Sequence, residues 1–366
     1  MIWPLDIHAA NRDLSIENVR VDRPALRPGE VVNISFYLTR AAKVTLSIFD
    51  SNYQVVRKLM DGGERPAGIN GVTWDGRDDS GEMVPDEAYV LSIVAEGADG
   101  KKSIYDPTSI SGGETLYPPI RRIIEESSGM VNIHYSVPNP SRVSIKSGIR
   151  NGPLLKTILD WKPLPAGDYV QTWDGMDETG QIKAMKEPKS ILFTEGFRLP
   201  ENSIIVQGGK EDYPAHHRRF KPFSQDRMGH LTFQKVRENA LKRVKQGISP
   251  QYLVPQTLNR RPQFIVSLDK ERAIGLAKRR GTRVSGQVGL TIEVSPESLS
   301  SFNELRYEIV VFVDNQRFDE EEQAYSTYTY WLDTTQLTNG EHLITINLSS
   351  MTGQIGSYSF KIDVKN

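Results

Sequence analysis

Two aspartate-rich turns carry the side chains whose spacing best suits metal chemistry in this sequence. Residues 75–79 read Asp-Gly-Arg-Asp-Asp, and residues 174–178 read Asp-Gly-Met-Asp-Glu. Their carboxylates could supply oxygen ligands to Ca²⁺, which takes about six to eight of them. Neither turn has the ligand spacing or the distal bidentate glutamate of a dedicated calcium loop. Aspartate is also common in tight turns because its side chain accepts backbone hydrogen bonds. We therefore expect structural turns, no bound metal and no cofactor.

Histidines offer a second candidate metal site. His216 and His217 are adjacent, and His230 follows in the same segment. Imidazole is a frequent ligand of transition metals, but two arginines come directly after the pair and would repel a cation. We expect a surface or interface role for these histidines. The acidic run 319–322 could likewise bind a metal or meet a basic surface, and we expect it to lie in a solvated loop.

The sequence contains none of the short motifs that carry common enzymatic chemistry. It lacks a Gly-x-Ser-x-Gly elbow, a phosphate-binding loop, a His-Glu-x-x-His pair and a dinucleotide fingerprint after a strand. It has no cysteine, which excludes disulfides, thiol catalysis and thiolate metal sites. A carboxylate pair for sugar hydrolysis stays open, because its two members can come from distant strands. We predict a protein without catalytic residues.

The two turns belong to an internal duplication, so the elements that position them are repeated as well. Trp74 precedes the first turn and Trp173 the second, at an offset of 173 − 74 = 99 residues. A register kept over some fifty residues without a gap indicates a repeated structural unit. The identical pairs at this offset are Pro66/Pro165, Ala67/Ala166, Gly68/Gly167, Trp74/Trp173, Asp75/Asp174, Gly76/Gly175, Asp78/Asp177 and Gly81/Gly180.

Each repeat reads as a short β-prone run, a tryptophan and a tight polar turn. The runs 72–74 and 170–173 end in the tryptophan, whose large ring can cap the core of a sandwich. The Asp-Gly pair that follows supplies a position of positive φ at which the chain reverses. The residues that we assign to a structural turn and core are Trp74, Asp75, Gly76, Trp173, Asp174 and Gly175.

Residues 44–59 and 67–85 resemble the immunoglobulin-like domain of the flagellar hook-capping protein family. The second stretch contains Trp-Asp-Gly-Arg-Asp-Asp-Ser-Gly-Glu-Met-Val-Pro. The resemblance extends over about residues 15–97 and implies an immunoglobulin-like sandwich of the kind attached to bacterial secreted and cell-surface proteins. The second copy follows the pattern through its turn and then departs, with closing strands expected at 191–193 and 203–206.

The end of the chain predicts a third unit. Apolar residues recur at every second position in two stretches, as in strands that bury one face. They are Val288, Leu290, Ile292 and Val294 in the first, and Tyr307, Ile309, Val311 and Val313 in the second. Residues 312–315, 331–335 and 339–342 read Phe-Val-Asp-Asn, Trp-Leu-Asp-Thr-Thr and Asn-Gly-Glu-His, a succession similar to bacterial immunoglobulin-like domains found in tandem on surface proteins. We predict an all-β fold of three tandem immunoglobulin-like β-sandwiches, with a short helical, basic insert between the second and third. The predicted boundaries are an N-terminal arm (1–14), domain 1 (15–104), a linker (105–119), domain 2 (120–209), the insert (210–261) and domain 3 (262–366).

The middle of the chain differs from its flanks in charge and periodicity. Residues 210–283 hold 18 Lys or Arg and 6 Asp or Glu, a surplus of 18 − 6 = +12, so the rest of the chain carries −1 − 12 = −13. Thr232 can cap an amphipathic helix at 232–246 that ends before Gly247, and a second short helix is expected at 270–280. An apolar stripe beside surplus charge is typical of a partner-binding surface. The predicted contact residues are Phe220, Phe223, Phe233, Val236, Leu241, Lys242 and Arg243.

Other classes of partner are less well supported. The basic segment and its aromatic residues could grip nucleic acid, but the segment matches no recognised motif and its apolar face needs burial, so we expect no nucleic acid. No apolar run reaches 18 residues, and we expect no transmembrane segment. The N-terminus lacks a secretion signal. Either the protein stays inside the cell or the signal has been removed, and the resemblance favours removal.

These features predict a non-catalytic structural or scaffolding protein of a bacterial extracytoplasmic assembly, in the periplasm or on the cell surface. Its partners would be other protein subunits, or further copies of itself, bound through the insert and through free strand edges. The alternative is a carbohydrate-binding or accessory module of a secreted polysaccharide-active system. That alternative needs coplanar, exposed aromatic rings on one face. The dense aromatic group available for it is Tyr325, Tyr328, Tyr330 and Trp331.

Overall fold

The computed structural model describes residues 13–124, 129–209, 212–219, 231–268 and 282–366. Within these ranges the chain folds into three β-sandwiches with a few short helices, which confirms the predicted fold class. None of the helices in these ranges is long and apolar enough to cross a membrane. Several predicted features fall outside the described residues: most of the N-terminal arm, Phe220, Phe223, His230 and the helix expected at 270–280.

The first sandwich follows from period-two alternation in the sequence. Its strands are β1 (Ile16–Val21), β2 (Ala25–Leu26), β3 (Val32–Leu38), β4 (Ala42–Phe49), β5 (Val55–Arg65), β6 (Gly68–Trp74), β7 (Ala88–Glu96) and β8 (Lys102–Tyr105). Strand β3 lies between β1 and β6 in one sheet, and β4 lies between β5 and β7 in the other. Ile34 and Phe36 of β3 share the core with Leu46 and Ile48 of β4, because alternate residues of a strand point to the same face.

The second sandwich repeats this arrangement. Its strands are β9 (Thr115–Leu116), β10 (Ile120–Ile124), β11 (Val131–Val137), β12 (Ser141–Ile149), β13 (Leu154–Leu164), β14 (Gly167–Trp173) and β15 (Ser190–Arg198). The sheets have the orders β10-β11-β14 and β13-β12-β15-β9. Val131 pairs with Trp173 as Val32 pairs with Trp74, so the offset of 173 − 74 = 99 holds in the strand register as well as in the sequence.

Strand β16 (Ile204–Val206) differs from the expectation that residues 203–206 close the second sandwich. It lies in the first sandwich, antiparallel to β7 and parallel to β2. Asn202 anchors the crossing through hydrogen bonds with the backbone of β1. Ile204 and Val206 enter the first core, while Ile205 faces an apolar contact with the second sandwich. Three consecutive apolar residues suit a strand that is buried on both faces.

The segment 105–119, predicted as a linker, is built into the packed body. Asp106 caps a 3-10 turn at Pro107–Ser109 by accepting a hydrogen bond from the N–H of Thr108. Further along, β9 pairs with β15 and so joins a sheet of the second sandwich. The proline and glycine residues of this segment therefore produce turns within the fold.

Two short helices follow the second sandwich. They are α1 (Tyr213–Arg219) and α2 (Phe233–Lys242), and 3-10 turns at Val244–Gln246 and Pro250–Leu253 continue the chain. Thr232 caps α2 by accepting a hydrogen bond from the N–H of Lys235 at 3.2 Å. The α-helix is shorter than the predicted 232–246 because the chain tightens into a 3-10 turn after Arg243 and ends at Gly247, whose φ is 71°.

A fourth apolar core lies between the first and second sandwiches. Phe49 and Val90 come from the first, Trp161 and Phe197 from the second, and α2 adds Val236. The rings of Trp161 and Phe197 stack with centroids 5.7 Å apart. Residues 88–91 of β7 are apolar on both faces, because one face meets the first core and the other meets this shared core. The two sandwiches and α2 therefore form one packed body.

The third sandwich completes the described chain. Its strands are β17 (Phe264–Leu268), β18 (Thr282–Val284), β19 (Gln287–Val294), β20 (Tyr307–Val313), β21 (Gln316–Glu321), β22 (Tyr328–Asp333), β23 (Gly340–Ser350) and β24 (Ile355–Val364), with helix α3 (Leu299–Leu305) and a 3-10 turn at Thr334–Gln336. The two sheets have the orders β17-β19-β22 and β18-β24-β23-β20-β21. Inward residues such as Ile344 and Ile346 of β23 form its core.

Polar contacts hold the third sandwich against the second. Asn347 on the outer face of β23 accepts the N–H of Leu154 at 2.9 Å and donates to the Leu154 carbonyl at 3.0 Å. Ser357 donates to the same carbonyl at 2.7 Å. Because Asn347 and Ser357 are buried, each satisfied hydrogen bond also removes the penalty for an unpaired polar group.

Candidate interaction surfaces

Both tryptophan turns close the core of their sandwich in the same way. Trp74 is 1% exposed and Trp173 is 4% exposed. Each indole N–H donates to the backbone carbonyl three residues further on, at 2.9 Å in both cases. Each turn then has an aspartate that accepts the N–H two residues on and a glycine of positive φ: Asp75 and Gly76 in the first, Asp174 and Gly175 in the second.

The second aspartate of each turn binds the backbone of its own turn. Asp78 and Asp177 are buried, and one carboxylate oxygen of each accepts two N–H groups of the turn at 2.9 and 3.0 Å. Burial raises the pKa of Asp78, but hydrogen bonds from Ser80, the Glu82 N–H and His216 outweigh this effect and hold the pKa below 3.8. Within the described ranges, no three His, Asp or Glu side chains are grouped as a metal site would require.

Helix α1 places its two histidines against the first sandwich. His216 Nε2 lies 3.3 Å from Asp78 Oδ2, and both side chains are buried. His217 Nδ1 lies 3.5 Å from Asp50 Oδ2. The two histidines thus connect one short helix to two separate loops of the first sandwich. This arrangement is an intramolecular interface, one of the two roles expected from the sequence.

Helix α2 uses much of its predicted contact surface inside the chain. Val236 is 1% exposed and packs in the shared core. Arg243 pairs with Glu114 at 2.9 Å and donates to backbone carbonyls in the segment 108–112. Phe233 is half-buried with its ring centroid 6.0 Å from that of Tyr53. The structure therefore places Val236 and Arg243 where they hold α2 on the body, which differs from the predicted contact with a partner.

The outer side of the same helix end stays exposed. Leu241 is 49% exposed and Val244 is 60% exposed, and Lys242 and Lys245 beside them are exposed as well. We call these four residues the helix-end patch. Of the residues predicted to contact a partner, Leu241 and Lys242 lie in this patch. Phe220 and Phe223 lie outside the described residues.

The aromatic residues of the third sandwich are divided between two faces. Tyr330 is buried in the core, and its hydroxyl donates to Asp319 at 2.7 Å. Trp331, the next residue of β22, is exposed on the opposite face, where it pairs across the sheet with Gly289. Alternation along the strand produces this division. The coplanar aromatic platform required by the carbohydrate-binding alternative is therefore not formed by these two residues.

A cavity of about 700 Å³ lies where α1, the segment 255–263 and α3 meet the second sandwich. Its lining mixes cations and anions, and Arg260 pairs with Asp212 at 3.7 Å. Burial raises the pKa of Asp160 against the opposing charges of Arg261 and other cations nearby. The charged groups of the cavity thus largely face one another, as at a polar interface between packed units.

Sequence reasoning missed a buried ion pair that joins the first two sandwiches. Arg142 of β12 donates to the carboxylate of Glu87, and both side chains are 5% exposed. The Arg142 guanidinium also donates to the carbonyl of Trp161 at 3.1 Å. One signal was available: residues 88–95 are almost uninterruptedly apolar, as in a strand covered on both sides.

Part of the first sandwich matches a known protein family. Residues 25–99 match the family model of the FlgD Ig-like domain, which confirms the resemblance inferred for this part of the chain. The match covers the first tryptophan turn and strands β2 to β7. A search of curated protein sequences found no match.

Searches of solved structures returned immunoglobulin-like and fibronectin-like proteins. FlgD from P. aeruginosa is 25% identical over 23% of this chain and 66% of its own, with a TM-score of 0.20. Fibronectin(III)-like modules of Clostridium thermocellum CbhA are 11% identical over 95% of this chain and 94% of theirs, with a TM-score of 0.21. A 1.5-MDa bacterial ice-binding adhesin is 10% identical over 96% of this chain and 98% of its own, with a TM-score of 0.19. With TM-scores this low, we base no conclusion about function on these structural similarities.

Proposed function

We propose that this protein is a non-catalytic scaffold that holds other protein subunits of a bacterial extracytoplasmic or cell-surface assembly. The match of residues 25–99 to the FlgD Ig-like domain supports this class of function, although a fold of this kind hosts many tasks. The two tryptophan turns support it as well, because the carboxylates best suited to chemistry are occupied by their own backbone N–H groups.

The observation that carries the proposal is the way the sandwiches are locked together. Tandem domains joined by free linkers move relative to one another by default. Here the first two sandwiches share the core around Trp161 and Phe197, and the Arg142–Glu87 pair lies within their junction. The third is held through paired hydrogen bonds between Asn347 and Leu154. A body with buried junctions keeps its outer surfaces at fixed distances and angles, which is what a scaffold requires.

The helix-end patch is the proposed contact surface for a partner subunit. Leu241 and Val244 offer apolar area, and the lysines beside them would guide a partner of opposite charge. Residues that anchor α2 from beneath, such as Val236 and Arg243, keep the patch in place. A charged substitution on top of the helix should therefore disturb binding without releasing the helix.

Capture of the native complex tests this function. The protein is isolated from its own cells after mild cross-linking, and the co-purifying subunits are identified and counted. We expect a defined protein complex whose yield falls at least tenfold with Leu241→Asp, corresponding to about 1.4 kcal/mol of binding free energy. Met351→Asp is the matched control, because Met351 is an exposed apolar residue in a turn of the third sandwich. A chain that purifies alone, or glycan binding that is lost with Trp331→Ala, would contradict the proposal.

A further inference from the structure

The free edge of β14 in the second sandwich differs from the guarded edges of β5 and β21. In the part of the chain that the structure describes, β14 pairs with β11 and with no strand on its other side. Its pairing with β11 runs over seven residues without a register shift. An edge strand presents unpaired backbone N–H and C=O groups, which proteins usually protect with charges, bulges or prolines. In β14 the single charged residue is Asp168, and its carboxylate accepts a hydrogen bond from Ser136.

Two other edge strands carry the protections that β14 lacks. The pairing of β5 with β4 is interrupted by three register shifts, and Asp61 and Glu64 are exposed along it. Strand β21 is rich in charge, with Arg317 paired to Glu320. Both features discourage another chain from adding a strand. The contrast marks β14 as an edge that can accept one.

The outer face beside this edge forms a depression of about 490 Å³. Arg121 of β10, His134 of β11 and Val170 of β14 line it and occupy one row across the three strands, because Arg121 is in register with His134 and His134 with Val170. Val170 is 56% exposed. The side chains of Arg121 and His134 form no hydrogen bond or ion pair with any residue that the structure describes, although their backbones pair within the sheet. The row thus ends in an exposed apolar side chain at the open edge, and the arginine behind it has no ionic partner among the described residues.

We propose that this row and the β14 edge bind an extended peptide segment of a partner subunit that carries glutamate. The segment adds a strand about 5 Å beyond β14. Its backbone forms hydrogen bonds with the unpaired N–H and C=O groups of β14. A glutamate in the row of Val170 lays its methylene groups on the valine. Its carboxylate then points back along the row toward His134 and Arg121. The inference rests on the proposed scaffold function and deepens it by naming the chemistry of one contact.

The duplication supplies an internal reference for this row. At the offset of 99, His134 corresponds to 134 − 99 = 35 and Val170 to 170 − 99 = 71, which are Ser35 and Gly71. These residues are also cross-strand partners in the first sandwich, and Arg20 of β1 pairs with Ser35. The first sandwich therefore has the same type of edge with an arginine but without the imidazole and the apolar side chain.

The test uses the full chain and a fluorescently labelled, capped octapeptide of alternating glutamate and valine. We expect saturable binding by anisotropy, at least tenfold weaker for Arg121→Ala/His134→Ala and unchanged for Arg20→Ala/Ser35→Ala. A peptide with glutamine for glutamate should bind at least tenfold more weakly, and binding should fall with added salt. Hydrogen exchange should slow in residues 167–173, because a new strand protects edge amides.

Each other outcome contradicts the proposal. Strand addition at this edge is contradicted if the octapeptide does not bind, or if both double variants lose binding equally. It is also contradicted if hydrogen exchange in residues 167–173 is unchanged by the peptide. A concentration-dependent dimer that protects the same residues without peptide would assign the edge to a second copy of the chain. These results are independent of Leu241→Asp, so the inference can fail while the scaffold function stands.

Discussion

The two tryptophan turns have the same internal geometry but different neighbours. In both, the indole N–H, the aspartates and the glycines occupy corresponding positions. The remaining oxygen of Asp78 meets His216 of α1. In the second turn, the Thr179 hydroxyl shares its single proton between the second carboxylate oxygen of Asp177 and the backbone carbonyl of Ser359 in the third sandwich. The local sequence thus determines the conformation of the loop. The polar groups on its outer surface that are not used within the loop determine which neighbouring element it packs against.

The first prediction concerns the tryptophan that both turns have in common. Trp74→Ala and Trp173→Ala should each lower the free energy of unfolding by about 3–5 kcal/mol, because each removes a large buried ring and leaves a cavity. The two sandwiches share a core, so both variants should shift the same calorimetric transition. Ile69→Ala, at a position 84% exposed on β6, is the control and should change little. Two separate transitions, with one variant shifting only one of them, would contradict a shared body.

A second prediction concerns the buried Arg142–Glu87 pair between the first two sandwiches, which lies outside both tryptophan turns. Arg142→Ala leaves the Glu87 carboxylate buried without its cation, and removing one partner of a buried pair costs about 3–5 kcal/mol. The double variant Arg142→Met/Glu87→Leu should recover most of this loss in denaturant unfolding, since no unpaired charge remains. A single variant that unfolds like the wild type would show that the pair contributes nothing to the junction.

The sequence was sufficient to predict what depends on local pattern. Alternation predicted the strands around Ile34 and Leu46, and the Trp-Asp-Gly succession predicted both turns, because each requires only neighbouring residues. The domain that matches the FlgD Ig-like family was recognised through the same residues. The capping by Thr232 is equally local.

What depends on packing between units was not predictable in the same way. Ile204 to Val206 read as a closing strand of the nearer sandwich, and only the hydrogen bonds of Asn202 with β1 show why the chain returns to the first. The apolar stripe of α2 indicated that another surface buries it. The sequence around Val236 does not show whether that surface belongs to a partner or to Trp161 and Phe197 of the same chain. Periodicity reports burial and leaves open which surface provides it.

A third prediction sharpens the difference between the two turns. Asp78→Asn and Asp177→Asn should each cost about 1–3 kcal/mol, because an amide replaces a carboxylate that accepts several buried N–H groups. Only Asp78→Asn also removes the anionic partner of His216. Hydrogen exchange in residues 213–219 should therefore rise with Asp78→Asn and stay unchanged with Asp177→Asn. Equal effects on α1 would mean that the helix does not depend on this contact.

The last prediction tests the same contact through pH. Hydrogen bonds hold the pKa of Asp78 below 3.8 in the folded protein despite its burial. A depressed pKa means that the carboxylate contributes stability at pH values above 3.8, and that this contribution is lost as the pH falls through the folded pKa. The difference in unfolding free energy between the wild type and Asp78→Asn should therefore shrink steadily as the pH falls below about 3.8. Urea unfolding of both proteins across this range measures it, and a difference that persists unchanged into strong acid would show that the Asp78 charge does not stabilise the first turn.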